Sequence, residues 1–507
     1  MSDPIRHSTD AVMTGGAADS GAGRPDDPDS RRSELAKPRL LERIAQRTCA
    51  WSERWIPDAY VFAATAVVLV AVVALILGAR PTATAKAFGD GFWGLIPFTM
   101  QMTFIIIGGY VVASSPPVER LIDRVALVPK SGRAAVCWVA LVSMLVSLLQ
   151  WGLSIIISCL LVRSLGRRRD LRMDYRAAAA GASMGMGSIW ALGLSSSAAQ
   201  LEANPASMPA SILSVTGVIP FSETIFLWQS WVMIATLTGV TLWIAWLTAP
   251  RETQAVTAHD LDIAAEPTPA HVPTASLQSR SRPGEWLEYS PLLSVAITLL
   301  GAVWLIQEFA AKGAGALANL NTYNFMFLML GLLLCWRPRV FLDTVLKGLP
   351  GVAGVLIQFP LYGGIASIIT TATGTDGNTI SQHLADLFAK ASSHDSFPVL
   401  MGIYSAVLGF FLPSGGGKWI VEAPYVMQAA NTLQVHLGWG VQIYNAAEAL
   451  PNLINPFWMI PLLGILRLKA REVVGFNIVQ FVVHVPLVLL LLWALGLTLH
   501  YHPPVAP

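Results

Sequence analysis

Long apolar blocks constrain this chain more than any other feature of its sequence. Residues 60–77 and 474–499 are two examples, and blocks of about 16–25 apolar residues can cross a bilayer core of about 30 Å as helices. Charged residues make up only 13% of the chain, against about 25% in soluble domains. The sequence therefore predicts an all-α polytopic membrane protein whose surroundings are a lipid bilayer.

The rest of the composition excludes several classes of function. A net charge of +2 is too small to indicate a nucleic-acid partner. The four cysteines stand apart, without the spacing of metal ligands, at positions Cys49, Cys137, Cys159 and Cys335. We therefore expect no disulfide, no cofactor, no certain metal site and no nucleic acid.

Basic residues in short loops mark the cytoplasmic side of a membrane protein, and they set the predicted topology. Seven lysines and arginines lie from Arg31 to Arg54, so we place the N-terminus in the cytoplasm. Residues 1–50 form a polar tail, expected to be largely disordered and to end in a basic amphipathic helix over 33–56. The last span, about 473–499, ends on the outer side.

Two apolar blocks predict re-entrant hairpins rather than complete spans. Residues 134–162 are apolar, but basic residues flank them on both sides, and a single span cannot start and end on one side. We place the tip of this hairpin near Gln150. Residues 397–433 are interrupted in the middle by a proline and three glycines. Non-helical backbone at this depth is tolerated only where it is buried in protein or faces a cavity.

The two halves of the chain repeat this pattern with opposite orientation. We expect a first membrane repeat over 51–249, a flexible cytoplasmic linker over 250–285 and a second membrane repeat over 286–500. In each repeat a span after the hairpin, 177–200 or 440–466, is interrupted by glycine or proline. Inverted repeats with discontinuous helices indicate a secondary transporter with its site near the midplane.

The interruption of the second hairpin is the stretch FLPSGGGKWI, residues 411–420. It is not a P-loop, because that motif requires glycine and Ser or Thr at the positions where Leu412 and Trp419 stand. As a hairpin tip, Ser414 and the glycines after it offer a hydroxyl and backbone N–H groups to an anion, at the positive end of a helix. The predicted substrate-binding residues of this stretch are Ser414, Gly415, Gly416, Gly417 and Lys418.

Charged and amide side chains near this tip extend the predicted site. Glu422 lies four residues after Lys418, where the two can pair on one helix face, and the alternative is that Lys418 serves this pairing alone. Glu448 is an ionisable residue inside a span, which suggests function by default, although structural pairing with a lysine is again the alternative. We assign Glu448 and Glu422 to coupling or gating, and Asn452 and Asn455, beside helix-breaking prolines, to substrate binding.

The first half supplies the opposite wall of the predicted site. Gln150 is the polar group at the first hairpin tip, and Ser195, Ser196 and Ser197 offer hydroxyls in the interrupted span. Small residues also serve plain helix packing in membranes, so that alternative stays open for the serines. Backbone carbonyls at the end of a broken helix can hold a coupling cation, and the sequence does not choose between Na⁺ and H⁺.

These residues resemble those of the short-chain fatty acid transporter family (AtoE type), over about residues 51–499. The stretches that carry the resemblance are Trp55-Ile-Pro-Asp58, Gly89-Asp-Gly-Phe-Trp93, Gln150-Trp-Gly152, Pro413-Ser-Gly-Gly-Gly417, and Glu448 with Asn455-Pro-Phe-Trp458. The resemblance implies uptake of short-chain carboxylates such as acetoacetate or butyrate across the bacterial inner membrane, and hence a periplasmic C-terminus. The wider superfamily of ion-coupled organic-anion carriers implies a homodimer with a scaffold domain and a moving transport domain.

We therefore predict a secondary active transporter, a symporter that takes up short-chain fatty acids by alternating access with an elevator-like movement of the hairpins. A carrier for dicarboxylates or other organic anions is the alternative within this class, and a second cation near the site would favour it. A membrane-embedded enzyme would need clustered His, Asp or Cys within the spans, and two opposed hairpins favour gated occlusion over a channel. We expect no enzymatic activity.

Overall fold

The structure is a computed structural model of the chain, and it describes residues 59–263, 283–412 and 414–504. The predicted tail over 1–50 and most of the predicted linker over 250–285 lie outside the described residues. Within the described part the chain consists of helices and the turns between them, without a strand. The predicted all-α architecture is confirmed.

The helices fall on either side of the linker. Those before it are α1 (Ala59–Ile76), α2 (Pro81–Gly94), α3 (Ile96–Ala113), α4 (Pro116–Val125), α5 (Gly132–Leu149), α6 (Trp151–Gly166), α7 (Tyr175–Met184), α8 (Ser197–Glu202), α9 (Ala210–Thr216) and α10 (Trp228–Thr248). Those after it are α11 (Pro283–Tyr289), α12 (Pro291–Lys312), α13 (Leu320–Cys335), α14 (Pro338–Gly348), α15 (Ala353–Thr371), α16 (Ile380–Ala391), α17 (Phe397–Phe411), α18 (Gly415–Thr432), α19 (Leu437–Asn452), α20 (Pro456–Leu466) and α21 (Ala470–Gly496).

Seven helical stretches of the described residues are long and apolar enough to cross a membrane. They are Pro81–Ala113, Gly132–Leu149, Tyr175–Glu202, Trp228–Thr248, Pro291–Lys312, Pro338–Thr371 and Ala470–Gly496. The most apolar window of Tyr175–Glu202 is 89% buried, against 11% in Pro291–Lys312, so the first lies in the interior and the second faces outwards. The predicted multi-pass membrane protein is confirmed.

The two predicted hairpins have different shapes. Helices α5 and α6 pack along each other and are joined by Gln150 alone. Helices α17 and α18 are joined by residues 412–414, but α17 packs mainly on α19 while α18 packs on α15 and α16. The arms of the second hairpin are therefore splayed, which leaves the turn at Ser414 free to contact residues of the first half.

Two interrupted helices meet in the interior. After α7 the backbone widens into a π-turn over Gly185–Ile189 and tightens into a 3₁₀-turn over Trp190–Leu192 before α8. Helix α19 ends at Asn452, and α20 begins at Pro456, which has no N–H to continue the helix. Asn452 Nδ2 donates to Met186 O at 3.1 Å, so the two breaks are bonded to each other.

Two helices, α2 and α16, lie outside the predicted hairpins and interrupted spans. Helix α2 packs closely on α15, where a Cβ on Gly91 or on Gly363 would overlap the carbonyl oxygen of the other residue. Helix α16 begins with a capping box in which Thr379 and Gln382 each accept from the other's backbone N–H. Hydropathy does not predict them, because packing and capping supply much of their stability.

The described part of the predicted linker, residues 251–263, lies against the ends of α6 and α7. Val256 N donates to Asp174 Oδ2 at 3.0 Å, and Tyr175 N donates to Val256 O at 2.9 Å. Asp174 also caps α7. This part of the segment is therefore bound to the helix ends.

Candidate functional site

A cavity of about 460 Å³ lies between the two hairpin turns. The first turn contributes Trp151 and Gly152, and the second contributes Ser414, Gly415 and Gly416. The other walls are mostly apolar and include Met102, Ile106, Ile155, Met186, Val355 and Phe359. An apolar cleft with a few convergent polar groups is the usual form of a small-molecule site.

The second turn presents the N-terminus of α18 to this cavity. The Ser414 hydroxyl caps the helix by accepting from Gly417 N at 3.2 Å, and Ser414 O accepts the first intrahelical bond from Lys418 N at 2.9 Å. The N–H groups of Gly415 and Gly416 precede that bond and have no partner within the helix. With the helix dipole behind them, they are suited to bind an anion.

Close contacts with aromatic rings explain part of the glycine run. A Cβ on Gly415 would overlap the indole of Trp190, and a Cβ on Gly416 would lie 3.0 Å from the ring of Phe98. Side chains at these positions would therefore displace the rings or fill the cavity. Glycine keeps the backbone N–H groups within reach of a bound molecule.

Trp190 carries an unsatisfied buried donor beside the cavity. The residue lines the cavity and is 3% exposed, and its Nε1 has no hydrogen-bond partner among the described residues. A buried donor without an acceptor is costly, and a bound molecule with a suitable oxygen would remove that cost. Ser197 and Gln358 contribute further polar groups to the lining.

Lys418 lies behind the turn, in a buried charge cluster. Its Nζ is 2.7 Å from Glu448 Oε2 and 3.6 Å from Glu422 Oε2, and all three side chains are fully buried. Nζ also donates to the carbonyl and the hydroxyl of Ser405, at 2.7 and 2.9 Å, and Ser405 Oγ donates to Glu422 Oε2 at 3.1 Å. The ring centroid of Tyr444 lies 4.5 Å from Nζ.

This cluster of Lys418, Glu422 and Glu448 holds two carboxyl groups for one ammonium. With both carboxyls ionised, the site would carry one uncompensated negative charge, which a low-dielectric interior strongly disfavours. Oε1 of Glu422 and Oε1 of Glu448 have no hydrogen-bond partner among the described residues. One further positive charge, a proton or a metal cation, would balance the cluster.

Asn452 and Asn455 bond to backbone and are not among the cavity-lining residues. Asn452 reaches the π-turn of the first half, as described above, and its Oδ1 has no partner in the described part of the chain. Asn455 Nδ2 donates to Phe410 O at 3.0 Å. Asn452 therefore connects the break after α19 to the π-turn after α7, and Asn455 connects it to α17.

Of the predicted site residues in the first half, some bond within the protein and one lines the cavity. Gln150 caps α6 with its amide oxygen and bonds α3 with its amide nitrogen, so both ends of its side chain are engaged by backbone. Ser196 caps α8, and Ser195 is buried with no partner for Oγ among the described residues. Of these four residues, Ser197 lines the cavity.

Trp190 and Ser405 were not predicted as site residues. Trp190 lies in the interrupted span, and an aromatic residue within a glycine-rich break is the one sequence signal that points to it. Ser405 lies in the middle of an apolar hairpin arm, and its contact with Lys418 depends on how α17 crosses α18. No sequence spacing predicts that crossing.

Proteins similar to this chain in sequence are described as transporters. A family model described as "Short chain fatty acid transporter" matches residues 40–495. Two relatives are each named "Putative short-chain fatty acid transporter". The Escherichia coli K12 protein is 31% identical over 440 residues, which is 87% of this chain and 96% of its own. The Haemophilus influenzae protein is 26% identical over 461 residues, which is 90% of this chain and 100% of its own.

A solved structure shares the fold. Neisseria gonorrhoeae MtrF, whose structure is said to illuminate a class of antimetabolite efflux pumps, has a TM-score of 0.56 at 12% identity. The match covers 92% of this chain and 100% of that chain. The family and these relatives are transporters and not enzymes, as the sequence predicts. Because the family model matches most of its length, the chain belongs to the short-chain fatty acid transporter family.

Proposed function

We propose that this chain is a secondary active transporter that takes up short-chain fatty acids, such as acetoacetate and butyrate, by alternating access. The observation that carries the proposal is the cavity at the N-terminus of α18, where Gly415 and Gly416, whose N–H groups have no partner within the helix, line a mostly apolar cleft. A short-chain carboxylate has the two matching parts, an anionic head and a small apolar tail.

The carboxylate would accept hydrogen bonds from the N–H groups of Gly415 and Gly416 and from Trp190 Nε1. The Ser414 hydroxyl, whose oxygen accepts from Gly417 N, keeps its own proton to donate. Hydrogen bonds to a charged group contribute about 1.5–3 kcal/mol each. Lys418 and the two asparagines would act by holding the turn and the helix breaks in place, since they are not among the cavity-lining residues themselves.

The acyl tail would lie against the apolar wall formed by Met102, Ile155 and Phe359. In addition to Lys418 behind the turn, a cation lines the cavity as well, because the exposed Lys347 is among its lining residues. That lysine favours a second candidate function, transport of an organic anion with two carboxylates. Competition between butyrate and succinate would separate the two.

Access to the cavity follows from the predicted topology. Lys347 and Ile465 line one end of the cavity, and the basic residues close to them in sequence mark the cytoplasmic side. The structure would then be an inward-open state of an inner-membrane protein with a cytoplasmic N-terminus and a periplasmic C-terminus. An elevator-like movement of the two inverted repeats, in a homodimer, would carry the turn at Ser414 towards the periplasm.

Coupling to an ion gradient would involve the buried cluster of Lys418, Glu422 and Glu448. The cluster has two carboxyl groups and one ammonium, so binding one H⁺ or Na⁺ would neutralise it. Its lysine lies on α18, the helix whose first turn would bind the substrate. Occupation of the cluster would therefore alter the stability of the substrate-binding turn. Symport of the carboxylate with one cation would make the cycle electroneutral.

Solute counterflow in proteoliposomes tests the position of the substrate. Trp190→Phe removes the indole donor and should raise the KM for butyrate about 10-fold, the loss of one hydrogen bond to a charged group. Trp243→Phe is the matched control, since Trp243 on α10 is 62% exposed, and its KM should equal that of wild type. An unchanged KM in Trp190→Phe would refute the assigned carboxylate position. Accumulation of labelled succinate in place of butyrate would favour the second candidate.

A further inference from the structure

A further buried carboxyl group lies apart from the cluster around Lys418. Glu202 is the last residue of α8, and its side chain is fully buried. In the sequence it follows the predicted interrupted span 177–200 by two residues. It forms no ion pair with any residue that the structure describes. An isolated ionised carboxylate in such a place is disfavoured by several kcal/mol or more, so its protonation state requires an explanation.

Hydrogen-bond accounting around Glu202 favours the protonated acid. The hydroxyl of Thr216 lies 2.8 Å from Glu202 Oε2, 2.9 Å from Gly217 O and 3.1 Å from Ile212 O. One hydroxyl proton cannot serve three acceptors. If Glu202 is protonated, it donates to Thr216 Oγ1, and Thr216 donates to one of the two carbonyls. Trp419 Nε1 donates to the remaining oxygen, Glu202 Oε1, at 3.0 Å.

The same contacts argue for a proton rather than a metal cation. The N–H of Trp419 points at one carboxyl oxygen, and a donor in that position would repel Na⁺. Sodium-like hard cations also need several oxygen ligands, as Ca²⁺ and Mg²⁺ do, whereas the hydrogen-bond partners of the carboxyl among the described residues are one hydroxyl and one indole N–H.

No charged group of the neighbouring helices compensates Glu202. Helices α18 and α19 pack on α8, and α9 supplies Thr216 but no titratable side chain. The titratable side chains of α18 and α19 are Lys418, Glu422, Tyr425, Tyr444 and Glu448. The lysine and the two glutamates bond within their cluster, Tyr425 bonds Tyr404, and Tyr444 bonds Gly415 O.

Trp419 links Glu202 to the substrate-binding helix. It follows Lys418 in the first turns of α18, is fully buried and packs on Tyr444 at a centroid distance of 4.6 Å. Any movement of α18 away from α8 would break the bond from Trp419 Nε1 and admit water to the carboxyl. The environment that holds the proton therefore depends on the position of the hairpin.

We infer that Glu202 is a proton-binding site, separate from the Lys418 cluster, that holds a proton while α18 is seated against α8 and releases it when the hairpin moves. This inference rests on the proposed transport function for its role in coupling. The proton is exchanged with water, and the O–H bond of the Glu202 carboxyl is the only covalent bond that forms or breaks. Protonation of Glu202 thereby links the direction of carboxylate transport to the pH gradient.

Infrared difference spectroscopy tests the proton site without any transport. Wild-type protein at neutral pH should show a protonated carboxyl C=O band that is lost in Glu202→Gln and retained in the control Glu252→Gln, whose side chain is exposed. Trp419→Phe should shift that band, because it removes the donor to Oε1, and it serves if Glu202→Gln does not fold. Spectra of wild type and Glu202→Gln that coincide in this region would overturn the inference.

Transport measurements then test the coupling. Glu202→Gln imitates the protonated acid, so it should retain butyrate counterflow, which needs no net proton movement, and show less accumulation than wild type under an imposed pH gradient, because one of its proton sites no longer titrates. Accumulation driven by the pH gradient in Glu202→Gln as in wild type would overturn the coupling role. Failure of the wild type itself to perform counterflow would instead overturn the proposed function, and the infrared result would still decide the proton site.

Discussion

Replacement of Lys418 by methionine is the sharpest perturbation of the buried cluster. Methionine keeps an unbranched apolar stem but removes the ammonium that lies 2.7 Å from Glu448 and 3.6 Å from Glu422. The variant would leave two fully buried carboxyl groups without a cation. It would also leave the carbonyl and hydroxyl of Ser405 without their donor.

The expected loss of stability follows from these lost contacts. Removing one partner of a buried ion pair costs about 3–5 kcal/mol, so we expect that loss in the free energy of unfolding of Lys418→Met. Glu448→Gln removes a charge from a cluster with an excess carboxyl group, and should cost only about the 0.5–1.5 kcal/mol of one hydrogen bond. The double variant Lys418→Met/Glu448→Gln should recover part of the loss, because one carboxyl fewer is left unpaired.

Thermal unfolding of the purified proteins in detergent micelles measures this order of stability. Lys86→Met is the matched control, because Lys86 also pairs with an acidic residue four positions later, Asp90, but on the surface. Its Tm should equal that of wild type, since exposed pairs contribute little. A Tm of Lys418→Met as high as that of Glu448→Gln would refute the charge count.

Two further predictions concern the turn at Ser414 and the start of α19. Gly417→Ala should abolish folding or transport, because its Cβ would overlap the ring of Tyr362, and size-exclusion profiles after expression would separate the two outcomes. Burial, with a smaller effect of His502, lowers the pKa of His436 to about 4, below the usual value of about 6.5. The unfolded chain then binds more protons between these values, so stability should fall as the pH decreases through that window. His436→Asn keeps an acceptor for Trp439 N and should flatten the dependence of Tm on pH; an unchanged slope would contradict it.

The helix ends at Gln150 and Ser414 and the breaks in the two interrupted helices were predictable because their signals are local. Basic residues on both flanks of 134–162 and the glycine run from Gly415 to Gly417 each constrain a few neighbouring residues, whatever the rest of the chain does. The same holds for the pairing of Lys418 with Glu422, which helix geometry alone allows. The structure adds that the closer partner is Glu448, on a different helix.

The parts that escaped prediction depend on contacts between distant segments. Glu202 follows the end of a predicted span and is polar, which is typical of a loop, but α18 covers it through Trp419. Trp190 carries no charge, and it is a candidate site residue only because its Nε1 has no acceptor among the described residues. Helix α2 is rich in glycine and has low intrinsic helix propensity, so its stability comes from α15. Such contacts are set by tertiary packing, which no local pattern encodes.

The most direct test of the central claim is counterflow by the wild-type protein. Proteoliposomes loaded with unlabelled butyrate are diluted into labelled butyrate at neutral pH, and protein-free vesicles report the permeation of the uncharged acid. A carrier with alternating access predicts a transient accumulation of label above the external concentration, which protein-free vesicles do not show. Label that only equilibrates, at the rate seen in protein-free vesicles, would contradict transport of short-chain fatty acids by this chain.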